Sequence, residues 1–409
     1  MIKISPNIRS VTGFHAAGVH AGLKKDGALD FALISSETDC VTAGVFTRNK
    51  VKAAPVLLNM ERLREKASGI RAVAINTVSA NACTGALGLE NARASSELVA
   101  ERLAIASDQV LVMSTGVIGT HLPMDKMARG VALASENLGN DWSAAAAGIM
   151  TTDTRPKLGS VTIPTSKGPV SLAGIVKGAG MIAPDMATML SVIVTDASLE
   201  LPLAGAALSA ATRQSYNRIV IDGDTSTNDM VVLMCNGASG VDISDEADVE
   251  LFQAALNALA RYLAQEVVRD GEGVTKFVTL DIRNAESVAA AERIGQTIGA
   301  SVLTKSAFYG NDANWGRIMA AAGRAEAAFD PDSSSLFVAA GESIPAAERN
   351  LLIFSQGMPT DYLEDDAAAI MAEPSIYFTL DCGLGAAEAT IWTCDISHDY
   401  ITINGDYRS

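Results

Sequence analysis

The sequence predicts an α/β (α+β) fold, because segments typical of strands and of helices follow one another along most of its 409 residues. The first observation is a set of runs in which apolar and polar residues alternate as in strands: Leu29–Ile34, Val41–Phe46, Ala72–Ile75 and Gln109–Met113. The second is a set of segments whose apolar residues recur every three or four positions as in helices: Glu90–Ile105, Pro123–Leu138 and Asp248–Val268. The third is a further strand and helix in the last third of the chain, at Phe277–Ile282 and Glu286–Ala300.

The helix at Asp248–Val268 has the clearest pattern. Its apolar stripe runs from Phe252 to Val267 at steps of three or four residues, and the glycines of Asp270-Gly-Glu-Gly273 end it. The segment Pro123–Leu138 carries proline at its first position, where a helix needs no N–H. Both segments are therefore expected to be helices that bury one face.

The middle of the chain has the pattern of a hairpin, a glycine-rich passage and another strand. Residues Ser160–Val176 alternate and are interrupted by Gly168-Pro169, a turn signal. The passage Lys177-Gly-Ala-Gly-Met-Ile-Ala-Pro-Asp-Met-Ala-Thr188 follows, and the β-branched run Met189–Thr195 favours a strand. After residue 300 we expect short strands and turns as far as Ser409.

The length of the chain predicts two domains, since 409 residues exceed the usual size of one. The pattern of the sequence changes after Lys276. We therefore place a domain boundary near residue 280, which divides the chain into residues 1–280 and 281–409.

Composition narrows the classes of function. The net charge is −16, and an acidic surface repels phosphate backbones, so a nucleic-acid partner is not expected. The five cysteines are widely spaced without a Cys-x-x-Cys pair, which supports neither a disulfide framework nor a zinc site. No signal-peptide pattern begins the sequence and no apolar run approaches membrane-spanning length. We therefore expect a cytoplasmic protein with no membrane partner.

The glycine-rich passage allows a nucleotide-binding interpretation. Gly178, Gly180 and Ala183 match a loose dinucleotide fingerprint after a strand-like run. That fingerprint must open a helix, whereas Pro184 and the strand-like Ser191–Val194 follow here. A structural glycine turn explains these residues better than a nucleotide site does.

A second interpretation concerns Thr188 as a nucleophile. A threonine hydroxyl needs a base, and no Gly-x-Ser-x-Gly hydrolase motif precedes a helix in this sequence. An N-terminal threonine carries its own base, because its α-amine titrates near 8 and accepts the hydroxyl proton. Exposing that amine requires cleavage of the peptide bond before Thr188, and the upstream glycines permit the strained backbone that such cleavage needs. Packing or capping is the common role of an internal threonine.

The passage Lys177–Leu190 resembles the self-processing motif of the bifunctional ornithine acetyltransferase / N-acetylglutamate synthase family. The resemblance extends along nearly the whole chain, in the order of the family's signatures: Gly13–Val19, Gly44–Asn49, Asn81–Gly85, Ser114–Gly119, Met150–Thr154, Asp222–Asn228, Arg269–Gly273, Tyr309–Arg317, Cys394–Tyr400 and Asn404–Ser409.

This resemblance implies that the chain cuts itself between Ala187 and Thr188, and that the freed Thr188 is the nucleophile of an acetyltransferase. An α chain (residues 1–187) and a β chain (188–409) would result. It also implies a layered αββα sandwich that spans both chains, with a smaller C-terminal α/β domain whose tail reaches the active site. The expected assembly is a dimer of α–β units, and the expected reaction needs neither a metal nor another cofactor, although some family members use acetyl-CoA as a substrate.

The resemblance further implies that Thr115 and Gly116 form the oxyanion hole. A hydroxyl and a backbone N–H can both donate to a developing alkoxide. Without the resemblance, a turn that ends a strand is the simpler interpretation of these two residues.

Substrate contacts of the family fall on six positions: Thr151, Lys177, Thr188, Glu272, Asn404 and Ser409. The Lys177 ammonium can bind a carboxylate and lower the pKa of the Thr188 amine by like-charge repulsion. The Glu272 carboxylate can hold a substrate amino group. A solvated lysine and an incidental acid in a loop are the alternatives, and Thr152 competes with Thr151 as the contact.

One loop departs from the family pattern. The family usually has Ser-Gly-Asn-Ala-Asn before Ala-Cys-Thr-Gly, whereas this chain has Asn76-Thr-Val-Ser-Ala-Asn81. The loss of a glycine and an asparagine puts any substrate or oxyanion-supporting role of this loop in doubt.

The implied reaction is a ping-pong transfer from N-acetylornithine to glutamate through an acetyl ester of Thr188. Rival interpretations are an antibiotic-pathway relative with another acyl acceptor, an N-terminal-nucleophile amidase with water as acceptor, and an inactive binding protein of the same fold. The identity of the acyl acceptor separates the first two rivals from the transferase, and failure of the purified chain to cleave would favour the third.

Overall fold

The computed structural model describes residues 2–183, 189–346 and 349–406. The strands of these residues are, in chain order, β1 (Phe14–Val19), β2 (Phe31–Phe46), β3 (Ser68–Asn76), β4 (Val110–Ser114), β5 (Lys157–Thr165), β6 (Gly168–Lys177), β7 (Leu190–Thr195), β8 (Ile219–Val220), β9 (Met230–Cys235), β10 (Phe277–Ala285), β11 (Ser335–Ala340), β12 (Leu351–Ser355), β13 (Met358–Pro359), β14 (Ser375–Asp381) and β15 (Ala387–Cys394). The helices are α1 (Ala54–Glu65), α2 (Gly85–Leu103), α3 (Met124–Glu136), α4 (Trp142–Gly148), α5 (Leu201–Arg213), α6 (Glu246–Arg269), α7 (Val288–Gly299), α8 (Val302–Tyr309), α9 (Trp315–Gly323), α10 (Glu364–Met371) and α11 (His398–Gly405).

Two compact units make up the chain. The first takes its described residues from Met1–Gly178, Asp185–Asn217 and Thr225–Val267. The second takes them from Ala179–Pro184, Arg218–Asp224 and Val268–Ser409. The domain boundary near residue 280 remains a prediction.

The first unit contains an eight-stranded sheet in the order β4-β3-β2-β9-β7-β6-β5, with β1 paired to β2. β2 pairs with β1 and β3 through its first half and with β9 through its second half. β7 lies between β6, its antiparallel neighbour, and β9, its parallel neighbour. Strands from both sides of the predicted cut at residues 187/188 therefore share this sheet.

The same sheet forms two layers around one core. Ile34 of β2, Ile175 of β6 and Val192 of β7 are fully buried members of a single apolar cluster. On the opposite face of β2, Phe31 and Leu33 pack in a cluster with residues of α2 and α3. On the outer side of β5 and β6, Tyr262 and Leu263 of α6 lie against glycines of those strands. The predicted layered αββα fold is confirmed.

The second unit contains a seven-stranded sheet in the order β13-β12-β11-β14-β10-β15-β8. β10 is parallel to β14 and antiparallel to β15. Buried apolar side chains such as Ile294 of α7, Phe308 of α8 and Ile391 of β15 form its core. Within the described residues, no helix is long and apolar enough to cross a membrane.

Most of the predicted elements lie where the sequence placed them. The strand runs at 72–75, 109–113 and 189–195 fall on β3, β4 and β7, and the three strong helical patterns fall on α2, α3 and α6. The strand-like runs at 29–34 and 41–46 both fall on one strand, β2. One expectation was wrong: the region after residue 300 contains the helices α8 to α11 as well as strands.

Candidate active site

The end of β4 positions the turn that contains Thr115 and Gly116. β4 pairs with β3 on one side only. On its free side, the Asn59 side chain of α1 donates to the carbonyl of Val112 (2.7 Å) and accepts from its N–H (3.1 Å). The backbone N–H and carbonyl of Val112 on this buried edge are thus paired with a side chain rather than with another strand. These hydrogen bonds hold the end of β4, where the turn begins.

Gly116 is required by the shape of this turn. Its φ is +131°, a backbone conformation that side chains rarely adopt. A Cβ here would lie 2.7 Å from the backbone nitrogen of Ser79 and closer still to the carbonyl group of Val78. The N–H of Thr115 donates to the carbonyl of Asn76 at 3.0 Å, whereas the N–H of Gly116 donates to no acceptor in the part of the chain that the structure describes. That N–H is therefore available to a ligand.

Asn228 joins this turn to the loop that follows β3. Its Nδ2 donates to the carbonyl of Ser114 (2.8 Å) and to the carbonyl of Ala80 (2.6 Å). Its Oδ1 accepts from the hydroxyl of Thr227 (2.6 Å). Asn228 is buried, so this amide fixes the peptide group that precedes Thr115.

A buried ionic cluster lies at the end of β6 and includes two predicted substrate contacts. Asp153 accepts hydrogen bonds from the N–H of Thr151 (2.9 Å), the N–H of Gly178 (2.7 Å) and the Lys157 ammonium (2.6 Å). The Lys177 ammonium lies 4.0 Å from Asp153 and donates to the Thr115 hydroxyl oxygen at 3.3 Å. Thr115, Thr151 and Lys177, which the sequence analysis assigned to the site, therefore converge here.

The charge state of Asp153 follows from its surroundings. Burial alone would raise the pKa of its carboxyl, but the ammonium groups of Lys177 and Lys157 and the hydrogen bonds it accepts hold that pKa far below its usual range. Asp153 is therefore ionised, and its negative charge lies 4.0 Å from the buried Lys177 ammonium, which donates to the Thr115 hydroxyl oxygen.

The second unit contains the other predicted contacts that the structure describes. Asn404 of α11 donates through Nδ2 to the Glu272 carboxylate at 2.7 Å. A Cβ on Gly180 would lie 2.7 Å from Glu272 Oε1, so this carboxylate packs closely against the glycine-rich passage. Gly273, with φ of +66°, likewise has no room for a side chain beside Ser397 and Tyr400.

Three of the predicted site residues, Ala187, Thr188 and Ser409, lie outside the described residues. Thr152 makes no hydrogen bond that distinguishes it as a contact, whereas the N–H and hydroxyl of Thr151 both point to Asp153. The choice between them remains a prediction.

Sequence reasoning missed Asp153, Asn228 and the half-buried Asp222. All three stand inside strings on which the family resemblance depends, Met150–Thr154 and Asp222–Asn228, so the motif itself was the available signal. Within the described residues, no group of three or more His, Cys, Asp or Glu side chains could hold a metal ion.

Val78 has an unusual backbone in the loop that departs from the family pattern. Its φ is +73°, which places a β-branched residue in the left-handed region. It occupies the position of the glycine in the family pattern. The strain costs about 1–3 kcal/mol, and little burial offsets it because the residue is 41% exposed.

We expect Val78→Gly to stabilise the protein. Glycine removes the strain at a cost of about 0.5–1 kcal/mol in chain entropy, which leaves a gain of roughly 0.5–1 kcal/mol in the free energy of unfolding. Urea unfolding measures this gain. Val51→Gly is the matched control, because Val51 is similarly exposed but has no positive φ, and it should lose stability. Equal losses at both positions would contradict the assignment of strain to Val78.

Comparison with known proteins adds the following similarities. The model of the ArgJ family matches residues 15–409. The arginine biosynthesis bifunctional protein ArgJ of Thermotoga neapolitana is 44% identical over 400 residues, which cover 97% of this chain and 99% of that protein. The protein of the same name from Geobacter sulfurreducens is 42% identical over 403 residues, covering 98% and 100%. Among solved structures, ornithine acetyltransferase complexed with ornithine from Mycobacterium tuberculosis is 41% identical with a TM-score of 0.42, covering 45% of this chain and 99% of that one.

Proposed function

The chain belongs to the ArgJ family, and we propose that it moves the acetyl group of N-acetylornithine to glutamate through an acetyl ester on Thr188. Membership makes the chain an acetyltransferase of arginine biosynthesis. The proposal adds the two substrates, the covalent intermediate and the self-cleavage that frees the nucleophile.

The observation that carries the proposal is the pair of donors at the end of β4. An ammonium can only donate, so the Lys177 contact uses the Thr115 oxygen as an acceptor and leaves the Thr115 hydrogen available. The N–H of Gly116 is available beside it. Two such donors stabilise the oxyanion of an acyl transfer, and each is worth about 3–4 kcal/mol of barrier.

Self-cleavage requires no external nucleophile other than water. The Thr188 hydroxyl attacks the carbonyl carbon of Ala187, the C–N bond breaks, and the hydroxyl proton passes to the nitrogen, which becomes a free amine. Water then hydrolyses the resulting ester, which leaves a carboxylate on Ala187 and a hydroxyl on Thr188. The negative charge that develops on the Ala187 carbonyl oxygen needs the same kind of donor pair as acetyl transfer does.

Acetyl transfer then proceeds in two similar steps. The Thr188 amine accepts the hydroxyl proton while the oxygen attacks the acetyl carbonyl of N-acetylornithine. Ornithine leaves with that proton, and an acetyl ester remains on Thr188. The amino group of glutamate attacks this ester, and the hydroxyl of Thr188 is restored as N-acetylglutamate leaves.

The charges of the described residues suit amino-acid substrates. Lys177 provides an ammonium that lies 4.0 Å from Asp153 and donates to the Thr115 hydroxyl oxygen, and we assign it to a substrate carboxylate. Glu272 provides a carboxylate for an amino group, and Asn404 orients it by donating to one of its oxygens. We propose that Lys177, Glu272 and Asn404 contact the substrate, together with Thr151 and Ser409.

The two products of cleavage are expected to stay together. β6 precedes the cut and β7 follows it, yet their six paired positions run from Leu172–Thr195 to Lys177–Leu190 inside one sheet. β7 is also paired to β9 on its other side. Breaking one peptide bond leaves these ladders intact, and the further association into a dimer of such units is proposed from the family.

Mass spectrometry and an acetyl-transfer assay test the function together. Under denaturing conditions the wild-type protein should give two species, residues 1–187 and residues 188–409, in place of one of 42.5 kDa. With N-acetylornithine as donor, glutamate should be acetylated much faster than the donor is hydrolysed. Acetyl-CoA in place of N-acetylornithine shows whether a second donor is used.

Thr188→Ala is the control for both measurements, since it should remain uncut and inactive. A wild-type chain that stays uncut would overturn the proposal and favour an inactive binding protein. A cut chain that hydrolyses N-acetylornithine without acetylating glutamate would favour the amidase instead.

A further inference from the structure

The glycine-rich passage is hydrogen-bonded to two later segments of the second unit. The carbonyl of Ala179 accepts from the N–H of Glu272 (2.9 Å). The carbonyl of Ile182 accepts from the N–H of Ile221 (2.8 Å). Ala179 and Ile182 are fully buried. The four residues from Ala179 to Ile182 are therefore held in place at both ends.

Asp222 holds the same passage through its side chain. One carboxylate oxygen accepts from the N–H of Met181 (2.5 Å), and the other accepts from the N–H of Ile182 (2.8 Å). Met181 has φ of +57°, and this left-handed residue directs two successive N–H groups to the same side of the chain. The arrangement resembles an anion-binding turn in which the anion is a side chain of the protein itself.

The Asp222 carboxylate loses part of its hydration when it binds the N–H groups of Met181 and Ile182. Burial raises the pKa of Asp222, while N–H donors from Asp224, Met181 and Ile182 oppose that rise. Burial and the nearby carboxylates of Asp222, Glu272 and Asp224 also raise the pKa of the Tyr400 hydroxyl. A half-buried carboxylate with these donors binds the backbone through charge-assisted hydrogen bonds, which are roughly twice as strong as neutral ones.

The two sides of this contact lie on opposite sides of the predicted cut. Met181 and Ile182 belong to the segment that ends at Ala187, and only Ala183 to Met186 separate them from it. Asp222 belongs to the segment that begins at Thr188. The contact therefore joins the future C-terminal end of the α chain to the β chain.

We propose that Asp222 is a positioning residue for self-cleavage: it anchors the backbone just before the scissile bond, and it retains the new C-terminal end of the α chain afterwards. This inference rests on the proposed function, since it presupposes the cut at Ala187–Thr188. Asp222 does not touch the reacting atoms in this proposal. It acts by restricting the conformations of the short segment that leads to them.

The test measures the rate of cleavage on newly made full-length chain. Protein is synthesised in a cell-free system, samples are quenched in denaturant at intervals, and intact masses give the uncut fraction. We expect Asp222→Ala to cleave about 30-fold more slowly than wild type, because both backbone donors lose their acceptor. Asp222→Asn should cleave about tenfold more slowly than wild type, and therefore faster than Asp222→Ala. Its amide retains one acceptor oxygen for one backbone N–H but presents a donor to the other.

Asp224→Asn is the matched control, because Asp224 is the neighbouring acid and its hydrogen bond to Asp222 comes from its backbone N–H, which the variant keeps. It should cleave at the wild-type rate. In a Thr188→Ala background, hydrogen exchange should speed up at the amides of Met181 and Ile182 in Asp222→Asn, while amides of β7 and β9 keep their protection. This second readout does not depend on cleavage, and it separates loss of the anchor from general unfolding.

The outcomes distinguish the inference from the function on which it rests. A wild-type chain that never cleaves overturns both. If the wild-type chain cleaves and both Asp222→Asn and Asp222→Ala cleave at the wild-type rate, the role of Asp222 is overturned while the proposed function stands. Slow cleavage of Asp222→Asn accompanied by loss of protection throughout β7 and β9 also overturns it, since the side chain would then support the fold and not the segment.

Discussion

Gly116→Ala should lower kcat for acetyl transfer by about 10²–10³-fold with little change in KM. The added Cβ meets backbone atoms of Val78 and Ser79, which cannot rotate away as a side chain would. The φ of +131° also disfavours any residue other than glycine. The turn must therefore shift, and with it the N–H that we assign to the oxyanion, whose loss costs about 2.7–4 kcal/mol of transition-state stabilisation.

The same substitution should slow self-cleavage, because the tetrahedral intermediate at Ala187 needs the same donor. Steady-state kinetics on the cleaved fraction and intact mass on the whole sample measure the two effects separately. Gly119→Ala is a close control: Gly119 has a positive φ of +84° in the same turn, but a Cβ there meets nothing within 4 Å. It should lose some stability and keep most of its activity. Equal kinetic losses in both variants would mean that backbone strain, and not the position of the Gly116 N–H, governs the rate.

The sequence predicted long elements well and short or bent ones poorly. α6 extends over several turns, so its apolar stripe repeats often enough to be recognised. β2 was divided in two because Glu37, Thr38 and Asp39 are exposed at its middle, where its pairing with β3 shifts register. The helices α8 and α10 have only eight residues each, too few for a periodic pattern to emerge.

Residues of the site could be named from the sequence, but their contacts could not. Thr115 follows β4 and Lys177 ends β6, and only the order of strands in the sheet brings their side chains to 3.3 Å. Asp153 is one of 47 acidic residues in the chain. Its burial between two lysines distinguishes it from the others, and burial is a property of the fold rather than of the local sequence.

Asp153→Asn should destabilise the protein and impair acetyl transfer together. Lys157 has no exposed side-chain surface and lies 2.6 Å from Asp153, so the substitution removes the negative charge that this buried ammonium contacts. Removal of one partner of a buried ion pair typically costs about 3–5 kcal/mol of stability. Lys177 loses the charge that orients it toward Thr115, and misplacement by about 1 Å near a reacting centre can cost as much as 10²-fold in rate.

The pH dependence of the free energy of unfolding tests whether the charge of Asp153 causes the loss of stability. Because the pKa of Asp153 is lowered in the folded state, its contribution to stability is fully present above the unfolded-state value near 4 and is lost as the pH falls below it. The difference in free energy of unfolding between wild type and Asp153→Asn should therefore be constant from about pH 5 upward. It should shrink steadily at lower pH, where the wild-type carboxyl also becomes neutral.

Two further variants complete this test. Asp125→Asn removes an exposed acid from the first turn of α3 and should change stability by less than about 1 kcal/mol. Asp153→Asn combined with Lys157→Met also removes the buried ammonium that faces Asp153. It should regain part of the stability without regaining the activity, because the charge of Asp153 beside Lys177 is still lost. If the double variant recovered both, the loss of activity would follow from unfolding alone, and Asp153 would have no role in orienting Lys177.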